Sequence, residues 1–115
     1  MIIVVEGSKS FDDYETFMRG MGVALSDLDD SGIIEVWSAG PYKINSFTAA
    51  FCNSSENYLK QKGYRVKFSK VTHQWVSDNI HSVNHFAYYS NPNERPSRLT
   101  AEAELANIDV AIYRY

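Results

Sequence analysis

The residues best suited to chemistry stand near the start of the chain, where Gly7, Ser8, Lys9 and Ser10 follow an apolar run. Such a turn binds a phosphate through main-chain N–H groups, two hydroxyls and one ammonium group. The structural alternative is that Gly7 permits a sharp turn and Ser10 caps the next helix. Glu6 precedes the turn. Its carboxylate could position a ribose hydroxyl, act on a substrate or hydrogen-bond the turn, but it would repel a phosphate placed too close.

A second group of polar residues is expected to form the opposite wall of this site. Ser38 and Gly40 follow the second apolar run, and Asn45 and Ser46 follow them. Asn45 or Ser46 is equally well explained as the N-cap of a helix. Arg98 stands at the entrance of the last predicted helix, where its guanidinium could hold a phosphate through two hydrogen bonds. The alternative for Arg98 is an ordinary solvated surface residue.

The histidines and the single cysteine predict neither a metal centre nor a nucleophile, and no cofactor is expected. His81 and His85 are four residues apart, a spacing that places two imidazoles on one helical face, and His73 lies upstream. No nearby cysteine or acidic residue completes a ligand set. Cys52 has no His–acid relay in the sequence, which favours an inert thiol in the core.

Aromatic side chains are concentrated in residues 73–89. Trp75, Tyr88 and Tyr89 could stack on a base or contact a protein partner. The structural alternative is that they pack in the core. This segment is therefore the predicted surface for a protein partner, if the chain has one.

Composition narrows the class of protein. The chain has 115 residues, a net charge of −3 and one cysteine. This length predicts a single domain, and the acidic balance argues against nucleic acid as a partner unless a local basic patch provides the contact. The lone cysteine and the absence of a leader-like start favour the cytoplasm, and no apolar run reaches the ~20 residues needed to span a membrane.

The hydrophobic pattern predicts alternating strands and helices. Strands are predicted at residues 2–5, 33–37, 64–68 and 108–113, with a further short strand at 85–89. A first helix is predicted over 14–28, with a capping-box-like Ser10 and Asp13 before it. A second is capped by Asn45 or Ser46 and ended by Gly63 as the residue after the helix. A third fits residues 71–83 loosely, and a fourth opens at Pro96 or Ser97 and runs to Ala106. This order predicts an α/β fold, with a mostly parallel sheet of four or five strands between helices on both faces.

Several of these landmarks resemble one family. Residues 4–14, VVEGSKSFDDY, are similar to the first strand and turn of the YspA-like branch of the SLOG superfamily. Residues 38–40 (SAG), 49–50 (AA) and 63–66 (GYRV) resemble its second turn, small-residue helix and third strand. Residues 98–112, RLTAEAELANIDVAI, resemble its Arg-led helix and final strand. The resemblance implies a small Rossmann-like three-layer sandwich.

The resemblance also implies a pocket for a nucleotide or nucleotide derivative, such as an NAD-like molecule, at the carboxyl ends of the strands. The chain would then act as a sensor or sequestering module. A second hypothesis is a non-catalytic protein that docks on a larger, host enzyme, because Pro41 and Tyr42 make the second turn bulky and standalone domains of this size are plausible in phage genomes. Its location would then be the host cytoplasm. The third is hydrolysis of an N-glycosidic or phosphate bond with Glu6 as the acting carboxylate, for which the sequence shows no second carboxylate.

Overall fold

The structure, a computed structural model, describes residues 1–114. Five strands and four helices alternate along the chain, with one 3₁₀ turn before the fourth strand. In chain order they are β1 (Ile2–Gly7), α1 (Tyr14–Leu25), β2 (Ile33–Ser38), α2 (Tyr42–Gln61), β3 (Arg65–Lys70), α3 (His73–Asp78), the 3₁₀ turn (Ile80–Ser82), β4 (His85–Ser90), α4 (Arg98–Leu105) and β5 (Asp109–Arg114).

The five strands form one parallel sheet in the order β3-β2-β1-β4-β5. β1 lies at the centre, with Val4 beside Trp37 of β2 and Phe86 of β4. Its continuous apolar run is what a strand covered on both faces requires. The predicted α/β fold is therefore confirmed, with five strands rather than four and all of them parallel.

Two hydrophobic cores cover the two faces of the sheet. On one face, Ile3 and Val5 pack in a cluster with α1 and α2, through side chains such as Phe17 and Ile44. On the other face, Val4 packs in a cluster with α3 and α4. The helices α3 and α4 are short, with six and eight residues. On the face of the sheet that they cover, the side chains of β2 and β3 are therefore more exposed than those of β1 and β4.

Two predictions of helix-capping residues are wrong. Ser10 does not cap α1, which begins four residues later behind Asp13, whose carboxylate accepts a hydrogen bond from the Thr16 N–H at 3.2 Å. The intervening Phe11 is fully buried, so the chain turns into the core before the helix can start. Neither Asn45 nor Ser46 caps the second helix. α2 begins at Tyr42 behind Pro41, which supplies no side-chain cap.

The other element predictions differ less from the structure. α1 ends at Leu25 rather than at residue 28, and Gly63 follows α2 with a φ of +91°, as its predicted place after the helix requires. Ser97 caps α4. The strand at 85–89 is confirmed as β4, whose six residues are all buried, whereas the loosely helical stretch before it divides into α3 and a 3₁₀ turn.

Candidate functional site

The strand order reverses between β1 and β4, because the chain winds from β1 towards β3 and then crosses back to β4. In open α/β sheets, ligands bind beyond the carboxyl ends of the strands at this point, where the adjacent loops separate. Here the loop after β1 and the loop after β4 meet above it. Any small-molecule site of this fold is expected at this edge.

Glu6, the penultimate residue of β1, places a carboxylate at this point with 3% of the residue exposed. The Ser97 hydroxyl donates a hydrogen bond to its Oε1, and His73 Nε2 lies 3.1 Å from its Oε2. His73 Nε2 is also 3.1 Å from the carbonyl oxygen of Ala39. Because both neighbours of Nε2 are acceptors, this nitrogen carries the hydrogen. We call Glu6, His73 and Ser97 the Glu6 cluster.

The electrostatics of the Glu6 cluster follow from burial. Removal from water raises the pKa of Glu6, an effect that the hydrogen bond from Ser97 and the proximity of His73 partly offset. Burial also raises the pKa of Tyr88, and the charges of Glu6 and Glu94 raise it further. Tyr88 is the register partner of Glu6 on β4. The cluster therefore holds a carboxylate whose charged form is disfavoured by its surroundings.

A second polar group ties the two loops together. The Asn91 amide donates to the Ser10 hydroxyl, and that hydroxyl donates to Glu94 Oε1. Asn91 also donates to Glu94 Oε1 over 3.3 Å. Ser10 was predicted as a phosphate ligand or a helix cap. Its hydroxyl is instead bonded to the loop after β4, across the point where the strand order reverses. We call Ser10, Asn91 and Glu94 the loop bridge.

The predicted phosphate cradle has its first two main-chain donors already bound. The Gly7 N–H donates to the Gly40 carbonyl over 3.1 Å, and the Ser8 N–H donates to the Tyr89 carbonyl over 2.9 Å. A Cβ added to Gly7 would lie 2.7 Å from side-chain atoms of Ile44, so this side chain fills the space above the glycine. Lys9 is exposed.

The predicted opposite wall lies at the same edge of the sheet. The Ser38 hydroxyl donates to Asn45 Oδ1 over 2.6 Å, which fastens the end of β2 to α2. Gly40 has a φ of +89°, and its carbonyl binds Gly7 as described above. Ser46 is exposed on α2. Ser38, Gly40 and Asn45 therefore lie at the end of β2, and their polar groups are bonded within the protein, whereas Ser46 lies on the surface of α2.

Arg98, the first residue of α4, lines a hollow between α3 and α4 with a volume of about 330 Å³. Its side chain is 93% exposed, and its Nε lies 3.4 Å from Glu102 Oε1. Residues of both helices line the hollow: His73, Gln74, Ser77, Arg98, Leu99 and Glu102. Because His73 belongs both to this lining and to the Glu6 cluster, the hollow adjoins the buried carboxylate.

The remaining chemistry-bearing residues do not form a second site. His81 lies in the 3₁₀ turn and His85 on β4, so they share no helical face. Within residues 1–114, no group of three or more His, Cys, Asp and Glu residues could hold a metal ion. Cys52 is buried as predicted, and burial raises the pKa of its thiol to about 11.

The aromatic segment 73–89 does not present the expected aromatic surface. Tyr88 and Tyr89 are buried, as is Phe86, whereas Trp75 is 48% exposed. The indole of Trp75 packs edge-on against that of Trp37, with ring centroids 5.8 Å apart. Most of these rings therefore pack in the core, and the indole of Trp75 is the exposed aromatic surface that this segment presents to a partner.

Comparisons with models of protein families, with curated proteins and with solved structures found no match to this chain. The fold itself defines an α/β protein with a five-stranded parallel sheet and four helices, consistent with a small Rossmann-like sandwich. The resemblance to the SLOG superfamily remains a prediction. In the described part of the chain, none of the helices has the length and apolar character needed to cross a membrane.

Proposed function

We propose that this chain binds a nucleotide or nucleotide derivative at the carboxyl edge of its sheet, as a sensor or sequestering module. The observation that carries this proposal is the Glu6 cluster, a carboxylate with 3% exposure at the strand-order reversal. A buried carboxylate opposes folding unless its partners compensate for lost hydration. Positions of this kind are retained more readily for function than for stability.

The chemistry of the α3–α4 hollow is compatible with a sugar phosphate. The Arg98 guanidinium is exposed at the first turn of α4, where the main-chain N–H groups and the helix dipole add to its attraction for an anion. The Glu6 carboxylate accepts hydrogen bonds and has lone pairs beyond the two that Ser97 and His73 use. A ligand with a phosphate group and sugar hydroxyls would bind Arg98 through its phosphate oxygens and Glu6 through its hydroxyls.

The size of the hollow favours a single nucleotide over a dinucleotide. Its volume of about 330 Å³ lies at the small end of ligand cavities, which range over roughly 300–1,000 Å³. Lys9 is exposed near the same edge, beside the loop bridge. A larger derivative would therefore extend out of the hollow towards this loop.

Ligand-induced stabilisation tests the proposal, since a ligand that binds only the folded state raises the melting temperature. We expect at least one member of a panel of nucleoside monophosphates, nucleoside diphosphates and NAD derivatives to do so. Arg98→Ala should weaken binding of that ligand at least about tenfold, because a charged hydrogen bond to phosphate is worth ~1.5–3 kcal/mol.

Arg19→Ala is the matched control. Arg19 is exposed on α1 and pairs with Glu15 four residues earlier, as Arg98 pairs with Glu102 four residues later. This variant removes the same side chain from a helix on the other face of the sheet and should leave affinity unchanged. Absence of any shift across the panel, or equal loss of affinity in both variants, would contradict the proposal.

The structure favours binding over the hydrolytic alternative. The side chains that contact the Glu6 carboxylate are those of Ser97 and His73, neither of which is a second carboxylate. Hydrolysis of a glycosidic bond ordinarily uses a pair of carboxylates. We therefore assign Glu6 the role of positioning a ligand.

A further inference from the structure

The basic residues of the chain are concentrated around one edge of the sheet. Five of the eleven Lys and Arg residues lie within residues 60–70, and residues 57–77 contain no Asp or Glu. They flank or belong to β3, and all five are exposed: Lys60, Lys62, Arg65, Lys67 and Lys70. Within residues 1–114 none of them forms an ion pair, although Lys62 lies 5.1 Å from the centre of the Tyr58 ring. We call these five residues the basic edge.

β3 is an edge strand, and half of its main-chain groups face away from the sheet. The Arg65 N–H donates to Gly32 and the Val71 N–H to Ser38, so odd-numbered residues turn towards β2. In a parallel ladder, alternate residues direct their N–H and C=O groups to opposite sides. Val66, Phe68 and Lys70 therefore present theirs outward, and in the described chain no strand pairs with that side.

Each end of β3 borders a hollow. At the amino end, a cavity of about 790 Å³ is lined by residues including Lys60, Tyr64 and Arg65. At the carboxyl end, a cavity of about 420 Å³ is lined by residues including Lys70 and Trp75. Six residues of strand span ~20 Å. The edge thus combines a strand-length row of free hydrogen-bonding groups with room for side chains at both ends.

We propose that the outer edge of β3 is a docking site for an acidic, extended segment of a partner protein, which joins the sheet as an added strand. The main-chain groups of Val66 and Phe68 pair with the backbone of the segment. Acidic side chains at alternate positions of the segment lie on the same face as Arg65 and Lys67, at the spacing of cross-strand pairs. The exposed indole of Trp75 lines the hollow at the carboxyl end of β3 and contacts an apolar residue of the segment.

The charge pattern selects this occupant over two others. A second copy of the chain would place one basic edge against another, and like charges opposite each other repel. A nucleic acid would extend beyond the basic edge onto the rest of the protein, which holds all fourteen acidic residues and six basic ones. A short acidic segment covers only the basic edge.

A labelled eight-residue peptide that alternates glutamate and valine tests the proposal. We expect it to bind, with affinity that falls as salt concentration rises. Amide hydrogen exchange should slow at Val66 and Phe68, because their outward N–H groups become paired. Lys67→Glu should weaken binding at least about tenfold, since it replaces attraction by repulsion. Lys67→Gln should weaken it less and serves if repulsion from the neighbouring Glu35 impairs folding.

Arg114→Glu is the matched control, because it makes the same kind of charge reversal on β5, the opposite edge of the sheet. It should change affinity by no more than about twofold. A peptide N-methylated at every residue, which can donate along neither edge, should lose binding whichever direction it runs along β3. Equal binding by the N-methylated peptide, equal loss in both reversal variants, or tighter binding of an octathymidylate strand than of the acidic peptide would overturn the proposal.

Discussion

Glu6 keeps a carboxylate inside the fold at the end of the central strand. Its partners come from two elements far along the chain, the hydroxyl that caps α4 and the first residue of α3. Ser97 therefore has two roles, since its oxygen also accepts the Thr100 N–H that starts the helix. At this position one serine joins helix formation to the arrangement of the candidate site.

The raised pKa of Glu6 predicts how stability depends on pH. Above the ordinary value of 4.5 the unfolded carboxyl loses its proton first, while the folded one retains it to higher pH. Unfolding then releases a proton, so this group lowers the free energy of unfolding as the pH rises from 4.5 to the pKa of the folded carboxyl. Above that pKa the group causes no further change. Glu6→Gln has no proton to release. The free energy of unfolding of Glu6→Gln minus that of the unmodified protein should therefore rise from pH 4.5 upwards and then level off, as measured by urea unfolding.

A difference that falls with pH over this range would show that the hydrogen bonds of the Glu6 cluster outweigh burial. The two proteins are compared at the same pH. Contributions of the other titrating groups to the free energy of unfolding therefore cancel where the substitution leaves those groups unaffected. Far-UV circular dichroism at pH 7 verifies that Glu6→Gln is folded.

At the scale of elements, α1 shows how packing decides the role of a glycine. Gly20 and Gly22 both lie inside this helix and both weaken its intrinsic stability by up to ~1 kcal/mol. A Cβ on Gly20 would lie 2.4 Å from the Tyr89 hydroxyl oxygen and 2.9 Å from the Tyr113 ring, whereas one on Gly22 meets nothing within 4 Å. Gly20 thus allows β4 and β5 to approach the helix.

Alanine substitutions at these two positions should have opposite effects. Gly20→Ala forces an additional carbon against the buried Tyr89, which should lower the free energy of unfolding by ~1–3 kcal/mol. Gly22→Ala, on the exposed side of the same helix, should raise it by ~0.5–1 kcal/mol. Chemical denaturation of the two variants measures both values. Stabilisation by Gly20→Ala would contradict the close packing of α1 on the sheet.

At the scale of the whole molecule, the sequence allowed the alternation of strands and helices to be predicted because each element carries its own local pattern. β1 is a continuous apolar run and β3 alternates, and these lie at the centre and the edge of the sheet respectively. The helix starts were less predictable, since long-range contacts compete for capping side chains. The Ser10 hydroxyl is bound by Asn91, a residue 81 positions away.

The location of the candidate site at the strand ends could likewise be predicted, but its composition could not. Glu6 meets Ser97 across 91 residues of sequence, and no local pattern encodes that contact. The signals available were a charged residue at the end of a buried strand and a serine at a predicted helix start. Each is common separately, and their combination emerges only when β1 and α4 are packed together.

The sheet order predicts a gradient of stability across the molecule. β1 is paired on both sides and Val4 is fully buried, whereas β3 has an open side. Because exchange of a buried, paired amide needs extensive unfolding, the Val4 amide should require at least about 4 kcal/mol more opening free energy than that of Val66. Native-state hydrogen exchange provides the comparison. Equal protection of the two amides would mean that the edge of β3 is covered in solution.

The edge-on pair of Trp37 and Trp75 makes the optical signals of this protein local. These are the two tryptophans of the chain, and their contact joins the end of β2 to α3, two residues after His73. Tryptophan emission and the tryptophan bands of the near-ultraviolet circular dichroism therefore report chiefly whether α3 remains docked on the sheet. Far-ultraviolet dichroism instead averages over every helix and strand. A difference between the two melting curves would measure detachment of this crossover helix separately from global unfolding.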